Sequence, residues 1–137
     1  MFIYREPVSH TLTIRHVGTS LPDHIETLEE YDNYTYTVPS VEHFTVSPTS
    51  LNITMGTEDL VRILTYTQIT HTLTINYEYE DHTTAATTYS NVINEGESYS
   101  VNSPVIDGFT ADTPIVSGTL NTDTTITVTY TENEQEP

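Results

Sequence analysis

His71-Thr72-Leu73-Thr74-Ile75-Asn76-Tyr77-Glu78-Tyr79 alternates strictly: Leu73, Ile75, Tyr77 and Tyr79 share one face, and Thr72, Thr74, Asn76 and Glu78 share the other. Successive side chains of extended backbone point to opposite sides, so a period of two marks a strand with one dry and one wet face. Thr125-Ile126-Thr127-Val128-Thr129-Tyr130 reads the same way, with Ile126, Val128 and Tyr130 on the apolar side. Elsewhere no apolar stripe recurs every three or four residues. Threonine is the commonest residue and there are ten tyrosines. Such β-branched and aromatic side chains suit a pleated, half-buried surface. The chain is predicted to be all-β.

Working outward, the decisive stretch turns out to be half of an internal repeat. His10-Thr11-Leu12-Thr13-Ile14 recurs as His71-Thr72-Leu73-Thr74-Ile75, and Leu64-Thr65-Tyr66-Thr67 as Val128-Thr129-Tyr130-Thr131. Between these ends, Tyr36-Thr37-Val38 aligns by eye with Tyr99-Ser100-Val101, Phe44-Thr45 with Phe109-Thr110, and Met55-Gly56-Thr57 with Ser117-Gly118-Thr119. Repetition at this period means two copies of one unit. We place the modules at residues 9–67 and 71–131, with an N-terminal docking segment at 1–8 and an acidic tail at 132–137. Gln68-Ile69-Thr70 joins the modules without Gly or Pro, which predicts a short rod of two small β-sandwich or β-grasp-like modules. A connecting helix within Asn91–Ser98 is compatible with the pattern. A module of about 60 residues is marginally stable alone, so contacts with a partner or a homo-oligomer are expected to contribute.

Composition narrows the function classes. Twenty acidic against three basic residues (Arg5, Arg15 and Arg62) give a net charge of −17 in 137 residues. Without a cationic surface, neither nucleic acid nor an anionic membrane is an expected partner. The absence of cysteine removes disulfides and thiol chemistry, and no apolar run approaches the roughly 20 residues of a membrane helix. Residues 1–7 lack the long apolar stretch of a secretory signal.

The second module resembles a MucBP (mucin-binding-protein) repeat. The resemblance is carried by Leu73–Asp81, then Glu95-Gly96-Glu97-Ser98-Tyr99, Asp107-Gly108-Phe109, Ser117-Gly118-Thr119 and the closing Val128-Thr129-Tyr130. His82 stands where such repeats usually carry Gly, and His43 of the first module stands opposite Gly108 of the second. The resemblance implies a β-grasp-like or sandwich module, bacterial or bacteriophage origin, and adhesive or display work without catalysis.

The residues themselves supply no catalytic, cofactor or metal motif. No His pair has the spacing of a zinc site, no Asp-x-Asp-x-Asp-Gly loop offers calcium its oxygens, and no Gly-x-Ser-x-Gly elbow is present. Paired carboxylates about 5 Å apart in a cleft, as a retaining glycosidase needs, have little room in modules this small. No enzyme activity and no cofactor are therefore expected. His10 and His71, at equivalent strand starts, read as structural. The inward tyrosines, Tyr77, Tyr79, Tyr99 and Tyr130 with Tyr34, Tyr36 and Tyr66, read as core packing with hydroxyls reaching rim partners. Tyr31 and Tyr89 are the candidate glycan contacts. Val61 and Ile63 fall on the face where the second module has Thr125 and Thr127, so that strand is expected to be covered on both sides. With Phe2, Ile3 and Tyr4 they form the candidate docking interface. The first module is also the less charged, at −6 against −8 for the second and −3 for the tail. Two functions follow as expectations. One is a decoration protein on a bacteriophage virion surface, docked on a major capsid or tail protein. The alternative is a bacterial cell-surface adhesin module that binds mucin-type glycans.

Overall fold

A computed structural model describes residues 6–134, and these divide into two compact units that meet between Thr67 and Gln68. Each unit holds six strands, and no helix occurs among the described residues. The first contains β1 (Ser9–Val17), β2 (His24–Glu29), β3 (Asn33–Tyr36), β4 (Phe44–Ser47), β5 (Leu51–Thr54) and β6 (Leu60–Gln68). The second contains β7 (Thr70–Tyr79), β8 (Thr84–Asn94), β9 (Ser98–Asn102), β10 (Phe109–Ala111), β11 (Ile115–Thr119) and β12 (Thr124–Glu132). Asn91–Ser98 is the end of β8 and a turn, not a helix.

Both units have one topology. In the first, a mixed sheet runs β2-β1-β6-β4, and β3 pairs with β5 as a separate two-stranded ribbon. In the second, the order is β10-β12-β7-β8, with β9 and β11 as the ribbon. The first and last strands of each unit are parallel neighbours at the sheet centre: Leu12 lies opposite Leu60 and Leu73 opposite Thr124. Parallel first and last strands inside a mixed sheet are a β-grasp-like feature, and a two-stranded ribbon forms each unit's second sheet.

The core follows the alternation. Leu12, Ile14, Leu64 and Tyr66 from the central pair meet Leu51, Ile53 and Met55 from the ribbon side. In the second unit Leu73, Ile75, Tyr77, Val128 and Tyr130 meet Val116 and Leu120. The closing tyrosines are tied down identically: Tyr66 Oη donates to the Pro39 carbonyl at 2.7 Å, and Tyr130 Oη to the Pro104 carbonyl at 2.5 Å.

Register corrects the alignment made by eye. Tyr34 lies opposite Ile53 and Tyr36 opposite Leu51, whereas Tyr99 lies opposite Gly118 and Val101 opposite Val116. The equivalent of Tyr99 is thus Tyr34, two residues earlier than the sequence match suggests. Turn bonds agree. Tyr31 N–H donates to the Met55 carbonyl as Gly96 N–H donates to that of Leu120, so Met55 matches Leu120 rather than Ser117. Tyr31 and Gly96 share a left-handed backbone (φ 67° and 86°), as do His43 and Gly108 (69° and 82°). His82 also adopts φ 69°, the conformation glycine usually supplies. The first hairpin is shorter in the first unit, where β2 has six residues against eleven in β8, and Gly18 (φ 95°) follows the end of β1.

Two predictions follow from this packing. A Cβ on Gly18 would sit 2.2 Å from the Tyr66 carbonyl oxygen, against backbone that cannot swing away. Gly18→Ala is expected to destabilise the first unit by about 2 kcal/mol or more, since steric conflict adds to the left-handed penalty. Gly56→Ala, with open space around it, should stay within about 0.5 kcal/mol in the same chemical melt. Separately, burial raises the pKa of Tyr36, Tyr66, Tyr77 and Tyr130 above the ordinary phenol value of 10.0. The folded state therefore holds protons that the unfolded chain releases. That stability is complete below pH 10 and is lost as pH rises through the folded-state values. Thermal melts should show a fall above about pH 10 that Tyr66→Phe with Tyr130→Phe makes shallower; an unchanged slope would contradict it.

Candidate functional site

His10 and His71 are structural clasps. His10 Nε2 lies 3.0 Å from Glu30 Oε1, and its Nδ1 lies 3.8 Å from Asp59 Oδ1. The same Asp59 oxygen accepts the Thr11 backbone N–H at 2.8 Å. The second unit repeats every element: His71 lies 2.8 Å from Glu95 and 3.5 Å from Asp123, and Asp123 accepts the Thr72 N–H at 2.9 Å. Each clasp ties the start of the first strand to the turn after the second and to the loop before the last. Both ring nitrogens face carboxylates, so neither is left to activate a hydroxyl. His16 is buried and equally committed. Its Nδ1 is 2.8 Å from the Pro22 carbonyl, which only accepts, so Nδ1 carries the proton and Nε2 accepts from Tyr36 Oη at 2.8 Å. No group of three or more His, Asp or Glu among the described residues converges on a metal position.

The candidate docking residues fall on the outer face of the first sheet. Thr13 pairs with Ile25 on one side and Val61 on the other, and Arg15 pairs with Ile63. Ile25, Val61 and Ile63 are 63 %, 51 % and 53 % exposed. The equivalent row of the second unit is Ser90–Thr74–Thr125, all hydroxyls. Phe2, Ile3 and Tyr4 lie outside the described residues.

The two candidate glycan contacts sit in different settings. Tyr31, 69 % exposed, occupies the turn after β2. Tyr89 is half-buried, packed against the second core, and lines a groove of about 350 Å³ between edge strand β8 and ribbon strand β9. Tyr89, Asn91 and Ile93 come to it from β8, Tyr99 and Val101 from β9, and Glu97 from the turn between them. Asn91 lies opposite buried Leu73, hence on the sheet's inner face, yet it is exposed because the ribbon does not reach over the edge strand. Asn91 and Glu97 line the same groove and were not among the residues expected from the sequence.

In the first unit the matching positions are filled. His24 Nε2 lies 2.9 Å from Glu26 Oε1 and 3.1 Å from Tyr34 Oη, while Tyr34 Oη donates to Glu26 at 3.2 Å. Tyr36 packs on His24 with ring centres 4.9 Å apart. Desolvation first, then the Glu26 carboxylate, raises the Tyr34 pKa, which keeps the phenol a donor.

No family model and no curated protein matches the chain. Among solved structures it is similar to a MucBP domain of a Lactobacillus acidophilus protein, at 26 % identity over 47 % of this chain and 91 % of that one, with a TM-score of 0.37. It is also similar to the type 2 repeat of the mucus binding protein MUB from Lactobacillus reuteri, at 16 % identity over 91 % and 99 % of the two chains, with a TM-score of 0.43. Streptococcal High Identity Repeats in Tandem, domains 3–4 of a cell surface protein, give 15 % identity over 88 % and 96 %, with a TM-score of 0.38. The chain is similar to tandem MucBP-type β-repeats.

Proposed function

We propose that the chain works by attachment: a non-catalytic pair of adhesin-type repeats, displayed on a bacterial cell surface, that engages mucin-type glycans. One observation carries this reading. The two units share one topology, both histidine clasps and both tyrosine anchors, and differ in what they present to solvent. His10, His16, His24 and His71 are engaged by neighbours within their own unit, and the two units differ most in the surfaces they present. The ligand class is what the resemblance of the second module to MucBP repeats implies. Single contacts of this kind are weak, and repeated modules gain strength by avidity.

A second reading, a bacteriophage decoration protein seated on a capsid or tail protein, is favoured by the outward Ile25, Val61 and Ile63. In it, the first module and Phe2, Ile3 and Tyr4 dock while the second module projects.

Retention of the whole chain on immobilised mucin, before and after periodate oxidation of the glycans, tests the first reading. We expect retention that oxidation abolishes. Equal retention after oxidation, or none before it, would overturn the reading. A fixed ratio of this chain to coat protein in purified particles would then establish the second.

A further inference from the structure

We infer that the β8–β9 groove of the second unit is a carbohydrate subsite for an uncharged pyranose, and that the first unit's counterpart is closed to it. The inference rests on the attachment reading and adds the site, the module and the sugar class.

The Tyr89 and Tyr99 hydroxyls and the Asn91 amide make no side-chain hydrogen bond within the described residues, while Asn94 Nδ2 holds Glu97 Oε1 at 3.0 Å on the groove's rim. At the equivalent positions of the first unit, His24, Glu26 and Tyr34 satisfy one another. The same backbone therefore carries one self-satisfied cluster and one set of open donors and acceptors. Groups of that kind, spaced around aromatic rings, match a sugar, whose ring offers an apolar C–H face and a rim of hydroxyls.

Gly118 explains the difference in ring placement. The Tyr99 ring lies against it so closely that a Cβ would come within 2.8 Å of Tyr99 Oη and 3.1 Å of Cζ. Ile53 occupies that position opposite Tyr34 in the first unit, and Tyr34 there lies stacked near His24, ring centres 6.4 Å apart. Glycine lets one tyrosine lie back along the ribbon; isoleucine accompanies a tyrosine turned onto the edge strand.

Charge selects the sugar class. No cation lines the groove, Glu97 puts a carboxylate at its rim, and both described arginines, Arg15 and Arg62, belong to the first unit. A sialylated or sulfated sugar would meet repulsion with no compensating partner. The volume, near the lower end of small-molecule clefts, suits one or two sugar rings.

Amide chemical shifts of the whole chain, titrated with methyl N-acetylgalactosaminide and with N-acetylneuraminic acid, test the inference. The neutral sugar should shift Tyr89, Asn91, Glu97 and Tyr99 saturably, with a dissociation constant of about a millimolar to tens of millimolar, and leave His24, Glu26 and Tyr34 in place. The acidic sugar should bind at least about tenfold more weakly. Asn91→Ala, an exposed substitution, should weaken the neutral sugar about tenfold with the unfolding midpoint unchanged; Tyr89→Ala should do so more strongly. Shifts centred on the first unit, equal response to both sugars, or no shift at all would overturn the inference. Mucin retention that survives both substitutions would also overturn it while leaving attachment standing. Failure of the unaltered chain to bind mucin would remove the attachment reading itself.

Discussion

Everything in each unit hangs on the parallel pairing of its first and last strands. Leu12 and Ile14 on β1, Leu64 and Tyr66 on β6, and their counterparts on β7 and β12 place most of the buried core on the two central strands. Such a pair closes almost the whole module as one loop, so it relies on contacts distant in sequence. The histidine clasp reinforces the closure: Asp59 and Asp123, just before the last strands, hold the first strands' backbone at Thr11 and Thr72. The hairpin partner on one side (β2, β8), the short strand on the other (β4, β10) and the ribbon are then fixed by what remains of the apolar face.

Once the framework is specified twice, the surfaces are free to diverge. The row that is Ile25–Thr13–Val61 in the first unit is Ser90–Thr74–Thr125 in the second. The groove that His24, Glu26 and Tyr34 fill in the first is open around Tyr89, Asn91 and Tyr99 in the second. An apolar outer face on one module and a polar groove on the other distinguish two copies of one scaffold.

Alternation and duplication were legible because both are local. Leu73, Ile75 and Tyr77 announce their face within seven residues, and His10 and His71 announce the repeat. What was not legible depends on partners far apart in sequence. Nothing near His10 points to Glu30 and Asp59, and nothing in a period-two pattern tells parallel from antiparallel neighbours. The two-residue slip at Tyr34 and Tyr99 has a specific cause: Tyr31 stands in the left-handed position that Gly96 fills, so the residue that should anchor the match is disguised. Tyr89, expected as a glycan contact, is half-buried, because its face is set by the register of β8 on β7. Asn91 went unnoticed for the same reason, as a polar residue on an inner face that the ribbon leaves uncovered.

Amide hydrogen exchange, resolved residue by residue under native conditions, tests the central pairing most directly. The account predicts that the slowest amides in both units lie at matching positions of the parallel strands, around Leu12, Ile14 and Leu64 in the first and Leu73, Ile75 and Val128 in the second. Slowest exchange in the ribbons, or protection at non-matching positions of the two units, would contradict it.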